Sequence, residues 1–469
     1  MIEMRLGDIA AAMTGRLVGA DPEQTVCGVC DTDSRNIGNG DIFFAKPGEH
    51  TDGHNFVPQA AAAGAAVCVV ERELDVDVPQ IVVTDTVVAL GELARVVVEH
   101  VRSLGRMRVV AVTGSNGKTT TKNLLAAIFG AHGNVVAPIK SFNNEVGAPV
   151  TFLKVDASTD TLVAEMGASA EGEIARLTRM ARPDVGIVLV VGLAHAGEFG
   201  GIETTARTKS EMVRALQEDG VAVLNADDPR VMAMAELTAA RVITFGRSEA
   251  AQVRATEVTV GQQGTEFTLH VPDHEPVRVH FAVIGEHHVM NALAATAAAW
   301  SEGIAVPDIV ATLEQVTRAE RGRMELLVRE PITVINDAYN ANPDSMRAAL
   351  RTLAQIAKPG QRTVAVLGEM SELGDLHVQE HDRLGELAVR LGITQTVVVG
   401  QAARPLYLAA VAQGSWDNEA TFAADADAAL EFLESYLQPG DLVLVKSSNS
   451  AGLLALGDRI AEFVKGTTA

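Results

Sequence analysis

The residues that most plainly carry chemistry in this chain are Thr113-Gly114-Ser115-Asn116-Gly117-Lys118-Thr119-Thr120. Glycines let a backbone curl until several N–H groups face one anion, and a helix starting there aims its positive end at the same point. Lys118 would neutralise β- and γ-phosphates, and the Thr119 hydroxyl would bind Mg²⁺. The spacing departs from G-x-x-x-x-G-K-[ST], because position 112 is Val and the first glycine is Gly114. The β-branched run MRVVAVTG before the loop and the Thr-, Leu- and Ala-rich stretch after it supply the strand–loop–helix context that a phosphate loop needs. Nucleotide binding follows. Farther along, Glu165 ends the apolar run TLVAE, where a carboxylate can meet a cation at the carboxyl edge of a sheet. A lone glutamate at a strand end is usually a solvated carboxylate; its place after the phosphate loop gives it weight.

The elements that must hold these residues read as α/β throughout. A small N-terminal unit runs strand, Gly-rich turn, helix, strand through GDIFFAKPGEHTDGHNFVPQAAAAGAAVCVV, and LGELARVVVEHVRSL reads as a connecting helix. Apolar runs at 161–164, 185–191 and 221–224 alternate with helical segments, as in parallel βαβ units. Over 252–284 the alternation becomes period two, predicting an antiparallel excursion, and an Ala-rich helix follows at 289–303. After Arg321-Gly322-Arg323 a third α/β unit opens, with strands expected at 332–335, 363–367, 395–399 and 442–446. The expected organisation is three domains: a small N-terminal α/β domain (1–84), a central P-loop ATPase domain with a mainly parallel sheet (85–318), and a C-terminal Rossmann-like α/β domain (319–469).

Bulk properties narrow the field. With 469 residues, one core is too few. A formal net charge of −22 disfavours a protein that grips nucleic acid along its length, while leaving room for a local phosphate site. No apolar run reaches the roughly 18–20 residues of a membrane span, and Glu3 and Asp8 stand where a secretory leader would be basic and then apolar, so a cytoplasmic location is expected. Cys27 and Cys30 form a C-x-x-C without a second pair, read as structural. With no coiled coil or exposed apolar repeat, a monomer is expected.

The loop T-G-S-N-G-K-T-T is similar to the ATP loop of the Mur ligases and their relatives. Other stretches agree in the family's order: Glu165 in TLVAEMG, His195 in GLAHAGEFGG, Lys209 in TARTKSEMV, NADDPRV at 225–231 and GEHHVMNALAA at 285–295. The stretch INDAYNANPDSM at 335–346 and LGEMSELG at 367–374 resemble the branch that adds D-alanyl-D-alanine, and DTDSRNIGNGDIFFAKPGEHTDGHNF resembles a uridine-nucleotide-binding domain.

The resemblance implies an ADP-forming, ATP-dependent amide ligase joining D-Ala-D-Ala to UDP-MurNAc-tripeptide through an acyl phosphate, with Mg²⁺ as cofactor. By the family pattern Thr119, Glu165, His195 and Lys209 serve the metal site, and Lys209 is N-carbamylated. Lys118, Glu165, His195, Lys209 and Arg323 form the catalytic set. Asn291 is assigned to adenine, Asp337 to the ribose, Arg323 and Asn144 to the phosphate region. Tyr339, Asn340 and Asn342 shape the site, and Ser34, Arg35, Asp52, Gly53 and His54 contact the UDP-sugar. The chain departs from the pattern in three places. Lys446-Ser447-Ser448-Asn449-Ser450 stands where the family often has K-G-S-R-S, His195 lacks the usual Leu-Glu after it, and His288 replaces a common Asn. An arginine can hold a carboxylate bidentately and an asparagine cannot. Two alternatives stay open: a ligase of the same family adding another amino acid, and a non-catalytic ATP-binding paralogue.

Overall fold

The computed structural model describes residues 1–48, 51–139, 141–192, 201–316, 321–413 and 419–466. Three larger sheets organise them. The N-terminal sheet has five strands in the order 16–18, 80–82, 67–70, 42–44, 30–31, parallel except for the first pair, with a short antiparallel pair (Met4–Arg5 with Thr25–Val26) beside it. Phe43, Ala45, Cys68 and Val70 turn to one face of this sheet, and Phe44, Val67, Val69 and Ile81 to the other. That second face is buried with the helix Thr86–Ser103, whose Ala89, Leu90, Leu93, Ala94, Val97, Val98 and Val101 form one stripe at helical spacing. The same cluster continues into Val109, Ala111, Leu162 and Ala164 of the central sheet. The connecting helix is therefore a shared core element between the first two sheets. Asp85 caps it, its Oδ1 accepting from Val87 and Val88 N–H at 2.8 and 2.9 Å.

The central sheet has nine strands, in the order 277–281, 264–270, 253–261, 241–246, 221–225, 185–188, 108–113, 161–165, 135–136. From 253–261 onward all neighbours are parallel; the first three form the antiparallel excursion expected from the period-two pattern. The strand Arg108–Thr113 lies inside, between Val185–Val188 and Thr161–Glu165, and its Val109–Val112 are fully buried. The strand Arg241–Gly246 escapes the sequence reading. The Ala-rich helix Glu286–Ser301 is buried over most of its surface and packs on Lys118–Gly130, small side chains permitting the close approach.

The C-terminal sheet orders its six strands 325–328, 333–336, 442–446, 363–367, 395–399, 420–423, with only the first pair antiparallel. The strand Leu442–Lys446 inserts between Thr333–Asn336 and Thr363–Leu367, so residues from opposite ends of this region meet at the carboxyl edge. No helix among the described residues is long and apolar enough to cross a membrane.

Candidate active site

The carboxyl edges of the central and C-terminal sheets share a cleft of about 650 Å³. Its floor is the phosphate loop. Strand Arg108–Thr113 delivers the chain into it, Gly117 takes φ +85° as the helix N-cap, and Lys118–Gly130 follows. Among the described residues no side chain caps that helix, whose N-cap is the glycine itself, so its first N–H groups are available to an anion. Gly117 is required twice, by its left-handed backbone and by its neighbour: a Cβ there would lie 2.2 Å from Asn291 Oδ1.

The NADDPRV stretch turns out to brace this loop from behind. Asn225 Nδ2 donates to Leu189 O at 2.7 Å, and Val191 N donates to Asp228 Oδ2 at 2.8 Å. The segment so held ties the loop in turn, with Ser115 N donating to Val190 O and Gly192 N to Ser115 Oγ, at 2.8 and 2.9 Å.

Around the loop the candidate side chains converge. Lys118 Nζ donates to Gly114 O at 2.8 Å. Burial pushes its pKa down, the Glu165 charge opposing this and the Arg323 charge adding to it. Thr119 Oγ1 donates to Glu165 Oε1 at 3.1 Å and lies 2.9 Å from Ser141 Oγ. Glu165, the last residue of its strand, is 1% exposed, and its Oε1 also accepts from Asn143 Nδ2 at 2.8 Å. Its Oε2 is buried with no hydrogen-bond partner among the described residues. A buried carboxylate oxygen with open lone pairs beside a threonine hydroxyl is a donor set suited to Mg²⁺, a hard cation that takes oxygen ligands.

The C-terminal domain closes the other side. Arg323 Nη2 donates to Thr119 Oγ1 at 3.2 Å and its guanidinium stacks 4.5 Å from the Tyr339 ring centroid. Asn342 Nδ2 donates to Asn116 Oδ1 at 2.6 Å, and Tyr339 Oη to Ser141 Oγ at 3.4 Å. Asp337 is held from both sides: Met324 N donates to its Oδ1 at 2.9 Å, and Lys446 Nζ sits 2.7 Å from its Oδ2. Lys446 Nζ also donates to Asn340 O at 2.9 Å, fixing the turn from which Asp337, Tyr339 and Asn340 project.

The cleft thus collects Ser115, Asn116, Gly117, Lys118, Thr119, Thr120, Asn144, Glu165, Asn291, Arg323, Asp337, Tyr339, Asn340 and Asn342 from the sequence reading. Asn144 lines it, but its Oδ1 accepts from Gly147 N at 2.8 Å in a local turn; the neighbour Asn143 touches Glu165. His287 and His288 also line the cleft, and burial lowers the pKa of both rings, keeping them neutral. Lys209 does not line it. It is 3% exposed on the helix Ile202–Arg214, and burial pushes its pKa down to about 7, with the Lys118 charge adding to the effect and Glu211 opposing it. His195 lies outside the described residues.

The N-terminal candidates stand apart from this cleft. Arg35 is exposed and paired with Asp33 at 2.6 Å, while Ser34 is buried and donates to Gln59 Oε1 at 3.1 Å. Asp52 bridges Arg72 and His54. His54 is buried with both ring nitrogens engaged, Nδ1 with Asp52 at 2.6 Å and Nε2 accepting from Glu71 N at 2.8 Å, so its part is to hold this loop. At Gly53 a Cβ would meet Lys46 O at 2.4 Å, which explains the glycine by packing. Cys30 is buried and its thiol pushed up to about 12, as expected of an inert core cysteine.

Comparison with known proteins agrees with this geometry. Residues 29–113, 112–299 and 322–449 match, in turn, the Mur ligase family catalytic domain, the Mur ligase middle domain and the Mur ligase glutamate ligase domain. The UDP-N-acetylmuramoyl-tripeptide–D-alanyl-D-alanine ligase of Mycobacterium tuberculosis (strain ATCC 25618 / H37Rv) is 42% identical over 98% of each chain. A crystal structure of MurF from Acinetobacter baumannii superposes with a TM-score of 0.89 at 33% identity, covering 98% of this chain and 99% of that one. The MurF ligase from Thermotoga maritima, solved in complex with ADP, gives 0.81 at 25% identity over 94% and 99%. With a phosphate loop facing a C-terminal arginine across one cleft, and similarity running through all three sheets, the chain belongs to the Mur ligase family.

Proposed function

We propose that this chain is an ADP-forming, ATP-dependent ligase that joins D-alanyl-D-alanine to the terminal carboxylate of UDP-N-acetylmuramoyl-tripeptide, a step of peptidoglycan synthesis in the cytoplasm, acting as a monomer. The observation that carries it is the meeting, in one cleft, of the uncapped phosphate loop with Arg323, Asp337 and Tyr339 of the C-terminal domain. An amine cannot displace oxide from a carboxylate. A tripeptide carboxylate oxygen therefore attacks the γ-phosphorus, ADP departs, and the resulting acyl phosphate is attacked at carbon by the dipeptide amine, releasing phosphate. The protein contributes position and charge neutralisation.

Lys118 and Arg323 would flank the phosphates, and anionic phosphates would hold the Lys118 ammonium protonated against the pull of burial. Thr119 and Glu165 would hold Mg²⁺, with His195 a further member of the set. Bound there, the ion offsets phosphate charge. Asn291 would serve the adenine and Asp337 the ribose, the latter oriented by Met324 N–H and Lys446. Lys209, with its pKa near 7, has a large neutral fraction at physiological pH, which supports carbamylation: only the free amine reacts with CO₂. Ser34, Arg35, Asp52 and Gly53 would meet the uridine nucleotide.

The test is phosphate release from ATP with UDP-MurNAc-tripeptide, offering D-Ala-D-Ala, D-Ala or diaminopimelate separately. Turnover with D-Ala-D-Ala alone is the expected result. Turnover with another amine would move the chain within the family, and turnover with none would favour an ATP-binding paralogue.

A further inference from the structure

A second, smaller cavity of about 170 Å³ adjoins the ATP cleft on its C-terminal side. Asn340, Asn342 and Glu372 line both spaces and mark where they meet; Ser371 and the Ser448–Ser450 run line only the smaller one. Its walls are tied together by hydrogen bonds. Ser448 N donates to Glu369 O and Ser371 N to Ser448 Oγ, both at 2.9 Å, and the Ser371 and Ser450 hydroxyls lie 2.7 Å apart. Met370 N donates to Nε2 of the buried His381 at 3.0 Å, fixing the loop from its far side. Directly after these ties Glu372 takes φ +63°, a left-handed conformation unusual for glutamate. Such strain persists where the surroundings over-determine it, and it gathers at ligand sites.

The geometry points to Glu372 as the residue that receives the ammonium group of the incoming dipeptide, whose carboxylate lies at the Ser448–Ser450 end of the smaller cavity. This rests on the ligase reading above. The dipeptide nitrogen must open on the cleft where the acyl phosphate forms, so the ammonium belongs at the shared edge. Of the three residues on that edge only Glu372 is charged, and carboxylate to ammonium is a charge-assisted contact. At the other end, the turn Asn449–Ala451 leads directly into the helix Leu453–Gly466, whose positive end favours an anion. Neutral donors there, the Asn449 amide and the paired Ser371 and Ser450 hydroxyls, take the place of an arginine. Buried Ala341 and Leu373 supply an apolar wall for methyl groups.

Two variants test this, E372Q and E372G, with KM measured for all three substrates. Glutamine keeps the shape and removes the charge; glycine relieves φ +63° while removing the side chain. Both should raise the KM for D-Ala-D-Ala about tenfold or more, leaving those for ATP and UDP-MurNAc-tripeptide within about twofold. A dipeptide KM unchanged in E372Q, or all three KM values moving together, overturns the assignment. A wild-type enzyme with no dipeptide-dependent turnover would overturn the ligase reading and this assignment with it.

Discussion

Lys209 offers a quantitative test of what burial does to an amine in this fold. An ordinary lysine, with a pKa of 10.5, is neutral at pH 7 in about three molecules per ten thousand; at about 7 it is neutral in half. Desolvation is the leading cause and the Lys118 charge the second, so the fold raises the free-amine population roughly a thousandfold. Carbamylation converts that neutral amine and CO₂ into an anion and releases a proton, and the anion is attracted by the Lys118 charge that repels the ammonium form. In ¹³C-bicarbonate at pH 7.5 the native protein should show one carbamate resonance, absent from K209M and lost below about pH 6. ATP turnover in CO₂-depleted buffer should fall and recover on adding bicarbonate. The sign of the stability effect is also set. The folded pKa lies below the unfolded one, so between about pH 7 and pH 9 the unfolded chain binds more protons. Without CO₂, stability should then rise with pH by about 1.4 kcal/mol per pH unit relative to K209M. No carbamate at pH 7.5, together with parallel pH profiles for wild type and K209M, would refute the burial argument.

Two other perturbations address the cleft. G117A must place a Cβ at φ +85° and 2.2 Å from Asn291 Oδ1, a conformational penalty of about 1–2 kcal/mol plus displacement of Asn291. Calorimetry should show ATP binding weakened about tenfold or more; unchanged affinity would mean that the loop is not set by this contact. K446M strips Asp337 of its buried partner, and with the Met324 N–H still in place it should destabilise the C-terminal domain by about 3 kcal/mol in denaturant titration. The double variant D337N/K446M should recover much of that loss, and a double variant as unstable as K446M would refute the ion-pair account.

Features confined to one segment were legible in the chain itself. The phosphate loop, the strand ahead of it and the helix behind it form a contiguous run in which Gly117, Lys118 and Thr119 act through local backbone geometry. The strands 363–367, 395–399 and 442–446 were readable for a like reason, since each is a β-branched apolar run buried on both faces. The period-two stretch marked the antiparallel hairpins because one face of them meets water. The strand Arg241–Gly246 was missed although its run Val-Ile-Thr-Phe is of the same kind.

What the sequence determined by itself, then, was the order of the longer strands and helices and the residue types able to handle a nucleotide, because both follow from neighbours a few positions apart. Which of two adjacent asparagines faces Glu165 was decided by a turn that commits Asn144 to Gly147 N–H. The engagement of both His54 nitrogens depends on Asp52 and on Glu71 of a later strand end. The pairing of Lys446 with Asp337 spans 109 positions and exists because one strand inserts between two others. The depressed pKa of Lys209 arises from burial and from Lys118, and the conformation of Glu372 from ties to a distant serine run. Direction of a side chain, strength of a charge and closure of a cavity depend on groups brought together only by packing, and these the tertiary structure alone decided.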